Sequence, residues 1–215
     1  MKVRVGCGGA LVALLALTAA PAHAQLLPHG AAAEGSAGVQ GVCSACHGAD
    51  GNSVDPQVPK LAGQSAQYLY EQLLAFKAQG GRRASGVMGA MAVNLSDVEM
   101  RNTAAYFAEQ LPKPTPLGAV VSKKVVARGE SIYRQGISSS PAVPACASCH
   151  ALSGAGLPPE FPRLAGQHAQ YLVKQLDEFR SGRRASDPNR LMARVAHKLT
   201  DRDIDTVSQY VARLP

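Results

Sequence analysis

Cys43-Ser44-Ala45-Cys46-His47 and Cys146-Ala147-Ser148-Cys149-His150 decide how this 215-residue chain is read, because one pentapeptide pattern stands twice, 103 residues apart. The register extends well past the cysteines. Pro59-Lys60-Leu61-Ala62-Gly63-Gln64 matches Pro162-Arg163-Leu164-Ala165-Gly166-Gln167, and Tyr68-Leu69, Gln72-Leu73 and Phe76 match Tyr171-Leu172, Gln175-Leu176 and Phe179 at the same offset. Farther along, Gly81-Arg82-Arg83-Ala84-Ser85 pairs with Gly182-Arg183-Arg184-Ala185-Ser186 after a two-residue shift. Met88 then pairs with Met192, Leu95-Ser96-Asp97 with Leu199-Thr200-Asp201, and Tyr106 with Tyr210. An ordered series of this kind is an internal duplication. It predicts two domains of about 90 residues, 25–111 and 127–215, joined by a linker at 112–126. The run Pro112-Lys113-Pro114-Thr115-Pro116 within that linker suits neither a helix nor a central strand.

Each copy reads as helical, so the expected fold is all-α. Leu69, Leu73 and Phe76 fall at i, i+4 and i+7, as do Leu172, Leu176 and Phe179, which places each trio on one helix face. No strand-like alternation of useful length is present. The last helix of each copy opens on a capping box, Ser96-x-x-Glu99 and the weaker Thr200-x-x-Asp203, and runs out at Leu111-Pro112 and Leu214-Pro215.

The first 24 residues read as an export signal removed from the mature protein. Lys2 and Arg4 precede an apolar run from Ala10 to Ala20, and Ala22-His23-Ala24 gives the small-x-small pattern of a cleavage site. The run is shorter than the roughly 20 residues of a membrane-spanning helix. Cys7 leaves with this segment, so four cysteines remain, as two pairs. Export of this bacterial form predicts the periplasm, where a CxxC pair stays reduced only when it is occupied, catalytic or oxidised.

Composition narrows the field further. Hydrophobic residues make up 46% and charged residues 17%, which indicates a folded chain and not a disordered one. Aromatic content is only 5%, with no Trp, thin material for two cores. The formal charge of +7 falls to +5 without the signal segment, and it divides into −2 over 25–111, +3 from Lys113, Lys123 and Lys124 in the linker, and +4 over 127–215. Such asymmetry orients a molecule in the field of a charged partner. A nucleic-acid partner is not expected in an exported chain.

The chemistry lies in CxxCH. Two cysteines at i and i+3 and a His at i+4 present three side chains on one face of a helical segment. The pattern marks covalent attachment of a c-type haem, with both thiols bonded to the macrocycle and the imidazole on the iron. A zinc site would need a fourth ligand in each half, a thioredoxin-like CxxC an α/β setting, and a simple disulfide leaves the His unexplained. A covalent haem accounts for the His and, as the filling of a small core, for the shortage of aromatics.

The sixth iron position separates an electron carrier from an enzyme. Of the methionines, only Met88 and Met192 occupy equivalent places, each seven residues before the Leu that opens the last helix. Met91 aligns with Val195 and Met100 with Ile204, the substitutions that core packing predicts. His168 and His197 align with Ser65 and Val93, so they are expected to be surface or internally satisfied histidines, and His29 takes no role. Pro59 and Pro162 offer carbonyls that would orient His47 and His150. Arg82, Arg83, Arg183 and Arg184 read as solvated charge, screens for haem propionates or a docking surface.

Taken together, CxxCH, Pro-x-Leu-Ala-Gly-Gln, Tyr-Leu-x-x-Gln-Leu and a Met before a capped terminal helix, twice over, resemble the dihaem cytochrome c4 family along nearly the whole mature chain. The resemblance implies two class I cytochrome c folds whose haems face one another across the domain interface, with propionates near the contact. It implies Cys43, Cys46, His47 and Met88 around the first haem iron and Cys146, Cys149, His150 and Met192 around the second. No catalytic residue is implied. It also implies a periplasmic, monomeric one-electron carrier between a cytochrome bc1 complex and a terminal oxidase, without a transmembrane segment and compatible with peripheral membrane association. The runner-up is the electron-accepting subunit of a periplasmic dehydrogenase, such as flavocytochrome c sulfide dehydrogenase. A dihaem peroxidase would need one open iron, against which the paired Met residues argue. The stretch Ile137 to Ala145, absent from the first copy, departs from the repeat.

Overall fold

The computed structural model describes residues 32–78, 83, 85–116 and 121–215. The signal segment, His29 and Arg82 lie outside them. Helix α1 (Ala32–Gly38) runs through a π-helical turn, Val39–Cys43, into the short α2 (Ser44–His47). There follow α3 (Ala66–Lys77), α4 (Gly86–Ala92) and α5 (Asp97–Ala108). The second half repeats the order as α6 (Lys123–Gln135), α7 (Ala147–His150), α8 (Ala169–Ser181), α9 (Leu191–Ala196) and α10 (Asp201–Val211). Among the described residues extended pairing is confined to isolated bridges, in keeping with an all-α fold.

In each half the first helix crosses the last, and the long middle helix packs on the last as well: α1 and α3 on α5, then α6 and α8 on α10. Two glycines make the crossings close. A Cβ on Gly35 would stand 2.7 Å from the Asn102 carbonyl carbon, and one on Gly129 would stand 2.7 Å from Tyr210 Cβ and against the Thr206 carbonyl oxygen. Asn102 and Thr206 are equivalent in the repeat, so Gly35 and Gly129 are too. Gly35 lies 8 residues before Cys43 and Gly129 lies 17 before Cys146, and the difference is the stretch from Ile137 to Ala145. That stretch closes on itself through paired Ile137 and Val143 backbone bonds, both 2.9 Å, and buries Val143 with Leu199 and Ile204.

The cores follow the apolar faces of the sequence. Leu69, Tyr70, Met100, Ala104 and Phe107 are buried together in the first half, and Ile132, Tyr133, Leu172, Val207, Tyr210 and Val211 in the second. Both capping boxes are complete. The second is the heavier of the two, since buried Asp203 also meets Arg128 at 2.5 Å. Residues 112–116 form neither helix nor strand, and the expected linker becomes helical from Lys123 onward. Lys113 ties this segment to the first half through Asp50 at 2.5 Å and Asn52 at 2.8 Å.

The two halves meet about a pseudo-two-fold contact made by equivalent residues. Gln64 donates to the Arg163 carbonyl and accepts from its N–H, both at 2.9 Å, and Gln167 does the same to Lys60, again at 2.9 Å twice. Arg83 and Arg184 bridge backbone to backbone at the same contact.

Candidate haem sites

Each CxxCH motif is a single helical turn, which is why a three-residue spacing brings both thiols and the imidazole to one side. The four cysteines are unpaired, with Cys46 exposed and Cys43, Cys146 and Cys149 half-buried. Burial pushes the Cys43 thiol up and the Cys146 thiol up to about 11. These groups are protonated at neutral pH, the reverse of the low-pKa thiolates of redox-exchange and zinc sites. Among the described residues no cluster of three His, Cys, Asp or Glu side chains is arranged to hold a metal ion.

His47 and His150 are 6% and 5% exposed. His47 Nδ1 donates to the Pro59 carbonyl at 2.9 Å and His150 Nδ1 to the Pro162 carbonyl at 3.0 Å. Burial holds both imidazoles below the usual histidine range, and the carbonyl bonds only partly offset it. Each ring is therefore neutral, with its proton on Nδ1 and a lone pair on Nε2. His150 Nε2 is fully buried and has no hydrogen-bond partner. A buried nitrogen left in that state costs roughly 1–3 kcal/mol unless something coordinates it, so the donor set fits a haem iron. The Phe161 edge flanks the His150 ring at 6.1 Å, and the buried Tyr133 hydroxyl donates to the Ala151 carbonyl at 2.7 Å just beyond it. Ala151 has φ 64 and ψ 157 at the place where the first copy has Gly48.

Met88 is half-buried on α4, which Ser85 caps through the Met88 N–H at 3.2 Å. Met192 is half-buried on α9, whose first turn is held by Asp187 at the Ala193 N–H, 3.2 Å. These short helices pack on α3 and α8. Met100 lies in the core beside Phe107, as its alignment with Ile204 suggests, whereas Met91 is 45% exposed. His197 is exposed, and His168 is buried with Nε2 on the Ser53 carbonyl at 2.9 Å.

The arginines divide. Arg183 is exposed, but Arg83 and Arg184 are 7% and 5% exposed, so these two are not solvated charge. Arg83 donates to Gln72 at 2.7 Å, Tyr171 at 2.6 Å and Gln175 at 2.8 Å. Arg184 mirrors it with Gln175 at 2.7 Å, Tyr68 at 2.7 Å and Gln72 at 3.1 Å. Their guanidiniums stack on Phe76 and Phe179 at 4.4 and 4.3 Å. Burial works against the charge on Arg83, yet a guanidinium stays protonated. Two cations thus sit at the contact bonded to neutral oxygens, with no carboxylate in a salt bridge to either among the described residues. Sequence reasoning listed these arginines without seeing that Tyr68, Gln72, Tyr171 and Gln175 of the repeat are their partners.

The cytochrome c family model matches residues 32–110 and again 126–215. Cytochrome c4 of Azotobacter vinelandii is 42% identical over 95% of this chain and 98% of its own. The thiosulfate dehydrogenase electron acceptor of Stutzerimonas stutzeri is 36% identical over 80% of this chain and 78% of its own. The crystal structure of reduced recombinant cytochrome c4 from Pseudomonas stutzeri superposes with a TM-score of 0.78 at 39% identity, covering 86% of this chain and 98% of that one.

Proposed function

The chain belongs to the cytochrome c family as a tandem, dihaem member of the cytochrome c4 group, and from that premise we propose that it relays single electrons in the periplasm between a cytochrome bc1 complex and a terminal oxidase. Two covalently attached haem c groups, one for each tandem domain, and electron transfer without catalysis of its own follow from the family. The reading of the sites as haem sites is supported chiefly by one observation, the buried and unpartnered His150 Nε2 behind a pair of free cysteines.

In this reading Cys43, Cys46, His47 and Met88 hold one haem, and Cys146, Cys149, His150 and Met192 the other. Bound haem supplies an iron that alternates between two oxidation states. His47 and His150 present neutral Nε2, fixed in orientation by Pro59 and Pro162, and Met88 and Met192 would each offer a thioether to the same group. Ligands of both kinds would leave no iron position for a substrate, which suits electron transfer and not catalysis. Arg83 and Arg184, charged and with no carboxylate in a salt bridge to either among the described residues, would receive haem propionates. The domains are taken as 25–111 and 127–215, the chain as a monomer exported by its first 24 residues. No described helix is long and apolar enough to cross a membrane.

A visible and near-infrared spectrum with a pyridine haemochrome assay tests this: two haems per chain, a sulfur-to-iron band in the oxidised protein and two one-electron couples are expected. One haem per chain, or carbon monoxide binding to the reduced native protein, overturns it. The relative named as a thiosulfate dehydrogenase electron acceptor favours a second reading, an electron-accepting partner of a periplasmic dehydrogenase, of which flavocytochrome c sulfide dehydrogenase is one type. Co-purification with a dehydrogenase under native conditions separates the two.

A further inference from the structure

We propose that Gln64 and Gln167 are positioning residues, each of which sets the donor strength of the iron-binding histidine in the opposite domain through one shared peptide group. The inference rests on the reading of His47 and His150 as iron ligands.

The Pro59 carbonyl and the Lys60 N–H are two ends of the same peptide. His47 Nδ1 donates to its oxygen at 2.9 Å, while its N–H donates to Gln167 Oε1, from the other half of the molecule, at 2.9 Å. The second site repeats the arrangement: His150 Nδ1 donates to the Pro162 oxygen at 3.0 Å, and the Arg163 N–H of that peptide donates to Gln64 Oε1 at 2.9 Å. The glutamine amides have no freedom to turn away. Each is 8% exposed, each Nε2 is spent on the carbonyl of Lys60 or Arg163 at 2.9 Å, and each Oε1 accepts a second N–H, from His168 at 3.1 Å or Ser65 at 3.0 Å.

A peptide that donates its N–H accumulates negative charge on its oxygen, so hydrogen bonds in series strengthen one another by roughly 10–30% each. The stronger the acceptor at Nδ1, the more basic the imidazole becomes at Nε2. A more basic ligand favours the oxidised iron and lowers its potential, since hydrogen bonding behind the ligand is one of the protein's levers on a haem. Among the hydrogen bonds of the described residues, Gln167 makes none to His150 and Gln64 none to His47. Loss of either glutamine is therefore felt in the domain that does not carry it. Separate interface packing has no such crossed signature.

The test uses full-length holoprotein carrying Gln167→Met or Gln64→Met, with haem content confirmed at two per chain so that the underlying reading is checked separately. NMR-monitored redox titration assigns a midpoint to each haem, and the Nδ1–H resonances of His47 and His150 are followed in the reduced protein. Gln167→Met is expected to raise the midpoint of the first-domain haem and shift the His47 Nδ1–H upfield, leaving the second-domain couple in place; Gln64→Met gives the mirror image. Displacement confined to the mutated domain, equal displacement of both couples, or unmoved Nδ1–H resonances overturns the proposal. Should a Met variant fail to fold, Gln→Asn withdraws the acceptor by one methylene while keeping the amide, and it must show the same crossed pattern.

Discussion

Gly129→Ala is expected to unfold the second domain at a lower temperature even though alanine is the better helix former. The new Cβ would lie 2.7 Å from Tyr210 Cβ, against an optimum near 3.5–4.0 Å for carbon pairs, a shortfall of roughly 1 Å. The other obstacle is the Thr206 carbonyl, which is backbone and cannot rotate aside. Helices α6 and α10 must therefore part by about that amount, and a gap of 0.5–1 Å forfeits about a quarter to a half of the attraction between facing atoms. The loss falls on Ile132, Tyr133, Val207, Tyr210 and Val211, the body of that core. Overpacking costs about 1–3 kcal/mol and occasionally more; taking about 3 and subtracting the ~1 kcal/mol gained in helix propensity leaves a net loss of about 2 kcal/mol. In a domain of this size that lowers Tm by roughly 8–16 °C. Calorimetry of the holoprotein, with the sulfur-to-iron band as a local reporter because Tyr133 holds the backbone behind His150, measures it. Gly38→Ala, with nothing within 4 Å of its Cβ, serves as the control and should be neutral or slightly stabilising. A Gly129→Ala midpoint within about 2 °C of wild type, on the same scale, would refute the close crossing.

Other outcomes follow from the same geometry. Asp203→Ala should cost about 2 kcal/mol, because it removes the reciprocal half of the capping box and strips bonds from Thr200 and Arg128, and Glu99→Ala in the exposed first cap should cost less, as denaturant titration would show. Burial raises the Asp203 pKa, but the Thr200 hydroxyl and Arg128 outweigh it and hold the carboxylate down; its stabilisation is present above the unfolded value near 3.9 and is lost as pH falls through the lower folded value. His168 is held neutral, first by burial, with the Ser53 carbonyl, Lys60 and Asp55 as its other neighbours. The unfolded chain thus takes up the proton first, so stability should decline as pH drops below about 6.5, and His168→Gln should flatten the Tm profile between pH 7.5 and 5. Ala151→Gly should stabilise the second domain by about 1 kcal/mol, since relief of a backbone conformation costing roughly 1–3 kcal/mol exceeds the ~0.4–1 kcal/mol of added chain freedom; a lower Tm would contradict it.

Helices α3 and α8 and both terminal caps are legible because each rests on local spacing: Leu69 and Leu73, Leu172 and Leu176, Ser96 with Glu99, Thr200 with Asp203. The crossing glycines are not, since nine extra residues before the second CxxCH put Gly35 and Gly129 out of the register that reveals the rest. The contact between halves is invisible for another reason. Gln64, Gln167, Arg83 and Arg184 all stand out in the repeat, but a repeat shows that a residue has a common role and not where its side chain reaches. In the candidate sites, Cys, Cys and His come together by spacing alone, whereas the peptide behind each His is shared with a glutamine about 100 residues away in sequence. Ala151 carries no sequence mark except that Gly48 occupies its place in the first copy.

The contact between the halves has the symmetry of an isologous dimer written into one chain. Because each glutamine grips main-chain atoms of Lys60 or Arg163 in the opposite half and not a particular side chain, the recognition survives sequence drift between the copies. Either domain alone carries both the hand and the handle. Because both copies belong to one chain, the pairing is intramolecular and does not depend on protein concentration.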